Sequence, residues 1–529
     1  MPSGQAWSRR LLLGSAALGL LVAALDAYVV VTILPAMLYD LDLSVDRIEQ
    51  ATPIISGFLA GYIVVLPLIG LASDVHGRLA VYLVALALFA AGSVLTATAG
   101  YTGEPPYGLI GLPWLVAGRI LQGLGGGATV PIALALAADL FPAGSRSTAI
   151  GAVAAVQETG SVLGPLYGAG VTAVADAFGG WRAVFWLNLP LAALCAVGFW
   201  LAARRVAAAT PSLRPATDAE GAAPARADWL GALLLGAGLA LLVFALYPDD
   251  PRHSAVGTHF LPTAVGAAVF LAAWVYRQVS ALSPVIPREL LRSRQFLGSS
   301  LANFLVGGGL MVALLDIPIM GRGVFNLDQL GSALLLVRFM VAVPIGALLG
   351  GYLATRLGGR WTAILGLAAV AAGFAFVSRW ETNELQRHLG VIPEADLVLV
   401  LTGLGFGVVI APLAAAVLDV ARSERHGLAA SLVVLVRTLG MLVGLSTLSA
   451  YGLHRFYELF NAGPKLVLIP GSPDFAAQKA AFDARVTTAL VAEYHSLFLI
   501  AAGLCIVAGA ITMLTLSARR TAGTTTPSR

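Results

Sequence analysis

Three ionisable side chains of this sequence lie inside long apolar runs, where a charge is rare and can serve proton transfer. Asp26 belongs to the first apolar run, Glu158 to the fifth and Arg437 to the thirteenth. Because a helix rises about 1.5 Å per residue, all three would lie near the middle of membrane-spanning helices. Burial in lipid disfavours the ionised form of a carboxylate, so Asp26 and Glu158 are candidate proton carriers facing a central cavity. Arg437 could pair with a deprotonated carboxylate and release it on protonation.

The same residues admit a purely structural interpretation, a static buried ion pair that fixes helix packing. Intramembrane charges more often mark function, so we favour proton transfer. Asp316 and Arg338 are weaker candidates, because both lie nearer the external ends of their apolar runs, where a charge reaches the interface at little cost. The sequence leaves the role of these two residues undecided.

Transmembrane helices must position these residues. The 529 residues are 58% hydrophobic and only 11% charged, with a mean hydropathy of +0.86, whereas soluble chains carry about 25% charged residues. Lipid must therefore surround most of the chain. A spanning helix needs about 20 apolar residues. The candidate spans are approximately 11–38, 51–73, 79–99, 112–138, 148–175, 183–203, 229–247, 260–280, 296–320, 331–354, 361–378, 396–419, 429–454 and 494–517.

Basic residues set the expected orientation. With the N-terminus inside, nineteen arginines fall in predicted cytoplasmic segments, against six basic residues in the short external loops. The positive-inside rule then places both termini in the cytoplasm, in a multi-pass protein of a bacterial inner membrane. The expected domains are an N-terminal six-helix half (1–203), a cytoplasmic linker (204–228), two inserted helices (229–280), a C-terminal six-helix half (281–518) with a periplasmic extension (455–493), and a cytoplasmic tail (519–529).

What the chain lacks argues against several classes of function. Its only lysines, Lys465 and Lys479, lie in predicted external segments, so no Walker-type lysine can bind ATP in the cytoplasm. Cys195 and Cys505 lie in apolar runs and indicate neither a disulfide framework nor a metal site. We see no zinc-protease or serine-hydrolase pattern and no basic run for nucleic acid. We therefore expect no enzyme activity, no metal and no cofactor, with a proton gradient as the source of energy.

Two loops carry a repeated glycine–arginine pair that could control conformation. The first contains Asp74, Gly77 and Arg78, where the glycine permits a tight turn and the charges can bond to neighbouring helix ends. The second ends in Gly359 and Arg360 and is preceded by Arg356. Such bonds hold one conformation closed, although ordinary polar turns would also fit. The repeat predicts two related six-helix halves with a site between them, which is a transporter plan.

Two spans carry further candidates for conformational gating. Arg119 lies within the fourth span, ahead of a glycine-rich stretch at 123–127 that most simply serves close packing. The fifth span has glycines at every fourth position, which form one flat face, and a proline that removes a backbone hydrogen bond and can kink the helix. These residues are Gly160, Gly164, Gly168 and Pro165.

These motifs resemble those of the major facilitator superfamily. The loop ending in Arg78 resembles its loop signature, with Val75 where a basic residue is usual. The segment 160–168 resembles the motif of its antiporters, with Ala169 in place of a glycine. Residues 181–190 resemble the start of the sixth helix in the fourteen-helix drug:proton antiporters. The resemblance implies an all-α integral membrane protein with the major facilitator fold, two six-helix halves plus two inserted linker helices.

A closer likeness covers nearly the full length and points to the actinobacterial lipid exporters of this superfamily, the triacylglyceride transporters of the mycobacterial envelope. It implies that Asp26, Glu158 and Arg437 serve proton coupling and line the cavity. It also implies that a periplasmic lipid-carrier lipoprotein accepts the cargo. The matching stretches are 25–33, 157–168, 344–347, 350–351, 354–356 and 437–444, together with the long external segment between the last two spans.

Three functions stay open. The first is proton-coupled export of lipid by a monomer, from the inner membrane toward the periplasm. The second is multidrug:proton antiport of amphiphilic small molecules, a drug-efflux and antibiotic-resistance activity, which shares every motif. The external extension favours lipid, because a pump that releases soluble cargo does not need it. The third is a non-transporting receptor or scaffold, which would gain nothing from intramembrane carboxylates.

Overall fold

The protein is a bundle of long helices. The computed structural model describes residues 3–40, 52–99, 108–174, 180–206, 228–246, 256, 259–462 and 474–517. The first six helices are α1 (Ser3–Asp40), α2 (Thr52–His76), α3 (Arg78–Thr98), α4 (Gly108–Leu140), α5 (Ala143–Val174) and α6 (Arg182–Val206). The next three are α7 (Trp229–Leu246), α8 (Phe260–Ser280) and the short α9 (Arg288–Arg292). The last six are α10 (Arg294–Gly323), α11 (Gln329–Leu357), α12 (Gly359–Val377), α13 (Glu394–Val420), α14 (His426–Asn461) and α15 (Phe475–Thr515).

Thirteen of these helices, counted over the described ranges, are long and apolar enough to cross a membrane. The remaining long helix, α5, has 32 residues but carries Gln157, Glu158 and Pro165 in its middle, which makes it less apolar. Its length and its packing against α1 and α11 place it in the bundle with the others. The sequence prediction of an all-helical membrane protein with fourteen long helices is therefore confirmed. The residue boundaries of the domains stay a prediction.

The long helices alternate in direction, which gives the bundle two ends. We call the end at which α1 begins and α2 ends the base, and the end at which α14 ends and α15 begins the top. At the base, Arg9 donates to the carbonyl oxygen of Leu140 at 3.4 Å. At the top, the carboxylate of Asp40 accepts from Trp181 Nε1 at 2.9 Å and from Arg182. These bonds tie the ends of α1 to α4 and α6.

Close helix packing depends on glycines, as the 123–127 stretch suggested. A Cβ atom at Gly123 would collide with the main chain of Phe58 in α2, and one at Gly125 with Ala85 in α3. The inserted helices lie outside the two halves: Gly236 of α7 rests on Val64 of α2, and α8 is almost entirely unburied by protein. In a membrane that exposed surface of α8 faces lipid.

Helices α14 and α15 are longer than a bilayer requires. With 36 and 41 residues they span about 54 and 62 Å, against a hydrocarbon core of about 30 Å. Their upper parts meet through aromatic rings, with the Phe460 and Phe482 centroids 5.4 Å apart. Within the extension 455–493 the sequence also predicts a polar helical stretch at about 474–493, which forms the start of α15. It predicts a strand and turn after Lys465, and these residues, most of the linker 204–228 and the tail 519–529 lie outside the described residues.

A short β-hairpin stands at the top between α12 and α13. Its strands are β1 (His388–Leu389) and β2 (Ile392–Pro393), which pair antiparallel. The preceding residues Glu384–Gln386 form a 3-10 turn. The sequence predicts a polar external loop at 379–395, and the structure builds this segment from the 3-10 turn and the hairpin.

The internal repeat is visible in two glycine turns at the base. Gly77 precedes α3 with φ 81° and ψ 147°, and Gly358 precedes α12 with φ 87° and ψ 151°. Only glycine adopts this conformation without strain. The sequence aligned Gly77-Arg78 with Gly359-Arg360, but the backbone aligns Gly77 with Gly358. Arg78 therefore corresponds to Gly359, and Arg360 lies one residue beyond the position equivalent to Arg78.

Candidate proton-coupling and gating site

Asp26 is the centre of a polar cluster inside the first half. Its Oδ2 accepts from Arg119 of α4 at 2.8 Å, and its Oδ1 accepts from Gln122 at 3.0 Å and from Asn188 of α6 at 2.7 Å. The hydroxyl of Ser93 in α3 accepts from the same two amides. The carboxylate thus connects three helices of the half, and the two amides extend the cluster to a fourth, α3.

The cluster is sealed from water. The side chains of Asp26 and Arg119 are 0% and 1% exposed, and the Arg119 guanidinium lies 4.5 Å from the ring centre of Phe58. The sequence suggested a lone carboxylate at position 26 and a separate gating arginine at 119. The structure joins them in one ion pair, with every oxygen of the carboxylate bonded. Such a pair is strongly destabilised when either partner is removed.

Glu158 and Arg437 form the second intramembrane pair, and they come from opposite halves. Arg437 NH1 of α14 lies 3.4 Å from Glu158 Oε1 of α5. This separation is longer than the roughly 2.7–2.9 Å of a tight charge-assisted bond. The two side chains are 14% and 12% exposed, so this pair is less tightly bonded and less completely buried than Asp26 and Arg119.

Two tyrosines lie near the Glu158–Arg437 pair, which we call the central pair. Tyr28 of α1 lies within electrostatic reach of both Glu158 and Arg437, and Tyr62 of α2 does so as well. Both rings are partly exposed. The interface between the halves therefore presents a carboxylate, a guanidinium and two phenol side chains to any bound molecule.

The glycine face of α5 packs against α1, within one half. A Cβ atom at Gly160 would meet Ala24, one at Gly164 would meet Tyr28, and one at Gly168 would meet Val29. Across the same contact, the hydroxyl of Thr32 donates to the carbonyl oxygen of Pro165 at 3.2 Å. This contact brings the helix of Asp26 directly against the helix of Glu158.

The base is closed by contacts around Asp74 and Arg78. The Asp74 carboxylate accepts from the backbone N–H groups of Gly427 and Leu428 at 2.9 Å each, and thereby caps α14 of the opposite half. Arg78 lies 3.4 Å from Asp74 and donates through Nε to Asp139 at 2.7 Å. All three charged side chains are at most 7% exposed. This is the arrangement expected of the loop signature, charges bonded to a neighbouring helix end.

Among the residues that the structure describes, the second loop forms no comparable network. Arg356 is exposed and lies over the ring of Tyr352, and Arg360 lies 5.7 Å from the ring centre of Trp361. Arg360 Nε is buried without a hydrogen-bond partner. Because Gly359 stands where Arg78 would be, the repeat preserves the turn but not the guanidinium.

The two weaker candidates, Arg338 and Asp316, lie in the second half. Arg338 of α11 forms an ion pair with Asp396 of α13 at 3.0 Å, and both side chains are substantially exposed. Asp316 of α10 lies near Glu493 of α15, and is partly buried. Neither residue joins the two intramembrane pairs.

Several residues of these clusters were not predicted as site residues. Gln122 and Asn188 stood in motifs that the sequence already singled out, but nothing in the sequence showed that both amides point at Asp26. Asp139 and His426 were missed altogether. His426 Nδ1 lies 2.6 Å from Asp139 Oδ1. In the parts of the chain that the structure describes, no group of three or more metal-ligating side chains occurs.

The fold, the two related halves and the interface charges define a membrane transporter, and residues 16–445 match the model of the Major Facilitator Superfamily. The chain belongs to that superfamily and is a transporter rather than an enzyme. The human organic anion transporter MFSD10 (TM-score 0.56, 20% identity, 94% of this chain and 99% of that one) and the proton:xylose symporter XylE (TM-score 0.58, 17% identity, 95% of each chain) share the fold.

Among curated proteins, the chain is similar to transporters named for triacylglyceride. It is 39% identical over 516 residues to the triacylglyceride transporter of Mycolicibacterium smegmatis, covering 96% of this chain and 87% of that protein. It is 38% identical over 522 residues to that of Mycobacterium tuberculosis strain H37Rv, covering 97% and 95%. The likeness to lipid transporters of this superfamily is therefore confirmed over nearly the whole chain.

Proposed function

We propose that this protein is a proton-coupled exporter that moves lipids of the triacylglyceride class from the inner membrane toward the periplasm. The observation that carries the proposal is the Glu158–Arg437 pair, a mostly buried ion pair at 3.4 Å that bridges two long apolar-bundle helices of opposite halves. The names and near-complete coverage of the relatives support lipid as the cargo.

The pair supplies a simple coupling step. While Glu158 is ionised, its attraction to Arg437 holds α5 and α14 together. A proton taken up by the Glu158 carboxylate neutralises it and removes that attraction, which allows the halves to move. Loss of the proton on the other side restores the pair. The sealed Asp26–Arg119 pair, packed next to α5 through α1, would respond to this movement rather than exchange protons freely.

The proposed orientation places the base in the cytoplasm, with both termini there. Arginines crowd the base, at Arg9, Arg10, Arg204 and Arg205, and cytoplasmic ends of membrane helices are enriched in such residues. The bonds of Asp74 to α14 close this end, so we infer that the described conformation opens toward the periplasm. Water reaching Glu158 would then come from the top.

The long α14 and α15 support lipid rather than soluble cargo. They are longer than a bilayer requires and meet through the Phe460 and Phe482 rings, which would offer apolar surface outside the bilayer. A triacylglyceride leaving the membrane needs such a surface because its exposed chains are costly in water. A periplasmic lipid-carrier lipoprotein would accept the cargo there, and the transporter would act as a monomer.

Multidrug antiport is the second candidate, because an acid and two tyrosines at the interface also suit an amphiphilic cation. A receptor or scaffold is the third, but it gives no reason for a loose charged pair between moving halves. The test is transfer of fluorescent triacylglyceride in proteoliposomes with a proton gradient, compared with transfer of ethidium. Proton-dependent transfer of the lipid supports the proposal. Movement of ethidium while the lipid stays in place would favour drug efflux.

A further inference from the structure

Tyr167 of α5 has a hydroxyl that takes no part in either intramembrane ion pair. Its Oη is buried and has no hydrogen-bond partner among the described residues. Buried polar groups are nearly always bonded, so an unbonded one calls for a physical reason. The Tyr167 ring packs against an apolar cluster that includes Val29 and Ile33 of α1. Because α1 runs from the base to the top, this cluster and the ring lie on the top side of Asp26.

The Asp26 carboxylate lies within electrostatic reach of the Tyr167 hydroxyl. Asp26 Oδ1 accepts from Gln122 and Asn188. Among the described residues, Oδ2 accepts from Arg119 alone. A carboxylate oxygen can accept about two hydrogen bonds, so Oδ2 could take a second donor without losing Arg119. A donor that lacks an acceptor thus lies near an acceptor that has capacity for another donor.

Helix α5 connects this hydroxyl to the central pair. Tyr167 follows Glu158 by nine residues, which is about two and a half turns of helix, so the two side chains leave α5 on opposite faces. The face that carries Tyr167 is the one that packs on α1, through Gly164 and Gly168. A displacement of α5 along α1 would therefore move the Tyr167 hydroxyl relative to Asp26, and it would move Glu158 at the same time.

We propose that Tyr167 is a positioning residue whose hydroxyl donates to Asp26 Oδ2 in the alternative conformation of the transporter, with the base open and the top closed. In the described conformation the hydroxyl does not reach the carboxylate. The bond forms when α5 moves along its glycine contact with α1, and it stabilises the alternative conformation. The two intramembrane ion pairs are then connected through one helix. The inference rests on the proposed function only in requiring that the transporter alternates between two conformations.

A role in packing alone gives a different expectation. If the Tyr167 ring only fills space in the apolar cluster, its hydroxyl is unbonded in both conformations and destabilises both to a similar extent. Removing the hydroxyl would then leave the equilibrium between the conformations unchanged. Tyr167→Phe separates the two roles, because it keeps the ring and removes only the hydroxyl.

The test is the ratio of the alternative conformation to the described one, read from the distance between spin labels at Trp114→Cys and Leu330→Cys. These exposed positions lie near the top, one in each half. Cys195 and Cys505 are replaced by alanine in the full-length protein, which is studied in nanodiscs without cargo or a proton gradient. We expect Tyr167→Phe to lower the ratio about tenfold, because a hydrogen bond to a charged group is lost in one conformation only.

A tyrosine with a more acidic hydroxyl should shift the ratio in the opposite direction. A fluorinated tyrosine at position 167 keeps the ring and strengthens the donor, so the ratio should rise above that of wild type, even where the alternative conformation is scarce. Tyr494→Phe is the matched control, because Tyr494 is a buried ring near Asp316 and Glu493 of the second half. It should leave the ratio unchanged.

Two results would overturn the role of Tyr167. One is a ratio that neither Tyr167 variant changes, and the other is an equal fall of the ratio in Tyr494→Phe. Glu158 is intact and no lipid is transferred in these measurements. Failure here would therefore leave proton-coupled lipid export standing, and failure of lipid export would leave the hydrogen bond to Asp26 standing.

Discussion

Glu158 and Arg437 come from helices of different halves, yet their side chains meet 3.4 Å apart at the interface and remain 14% and 12% exposed. Asp26 and Arg119, by contrast, meet at 2.8 Å inside one half and are sealed. The two intramembrane ion pairs therefore differ in location, separation and burial. Under the proposed function, Glu158 of the less buried pair exchanges a proton, and the sealed pair holds the geometry of its half.

The first prediction concerns the sealed pair. Arg119→Gln should lower the free energy of unfolding by about 3–5 kcal/mol, because it leaves a buried carboxylate without its counter-ion. Adding Asp26→Asn to that variant should recover part of the loss, since no unpaired charge remains. Thermal unfolding of the purified protein measures both. Equal stability of wild type and Arg119→Gln would show that the pair does not hold the half together.

The glycine face of α5 provides a second prediction with a control on the same helix. A Cβ at Gly164 would lie 2.8 Å from the Cβ of Tyr28, so Gly164→Ala should destabilise the protein by about 1–3 kcal/mol and slow transport. Gly170→Ala meets nothing within 4 Å and should be neutral or slightly stabilising. If both substitutions behave alike in thermal unfolding and transport, close packing on α1 is unimportant.

The loops at the base should differ in importance, although the sequence treated them as a repeat. Arg78→Gln removes a buried guanidinium between Asp74 and Asp139, and should expose the base to thiol reagents at Ser431→Cys, a position that is buried in the closed base. Arg360→Gln removes a side chain with no ion pair among the described residues, so its effect on the same labelling should be smaller. Larger labelling in Arg360→Gln would mean that the second loop is the main gate.

Extension of α14 and α15 should matter for release of lipid. Removing 455–461 and 475–481 takes seven residues from each helix, about two turns, which keeps their faces in register. We expect transfer of triacylglyceride to an acceptor to fall, while proton uptake through Glu158 continues. A shortened protein that transfers lipid as fast as wild type would show that the extra length of α14 and α15 does not assist release of lipid.

Much of the architecture follows from composition. Apolar runs of about 20 residues predict the spans, and their spacing predicts the long helices closely, because a membrane leaves the backbone few alternatives. The intramembrane positions of Asp26, Glu158 and Arg437 follow from the same runs. The pairing of charged side chains between distant helices does not follow from these runs. Neither the bonding of Arg119 to Asp26 nor that of Glu158 to Arg437 is encoded in any local spacing.

The internal repeat was also only partly predictable from the sequence. The predicted alignment of the two glycine–arginine dipeptides was one residue out of register, because the backbone conformation of Gly358, and not that of Gly359, matches that of Gly77.

The most direct test of proton-coupled lipid export is to measure both fluxes together in proteoliposomes, with a pH-sensitive dye inside and fluorescent triacylglyceride in the membrane. Wild type should move protons and lipid together, and Glu158→Gln should lose both the proton flux and the dependence of lipid transfer on the gradient. Glu289→Gln, which removes an exposed carboxylate at the base, serves as the control. Gradient-dependent lipid transfer that persists in Glu158→Gln would contradict the central role of the Glu158–Arg437 pair.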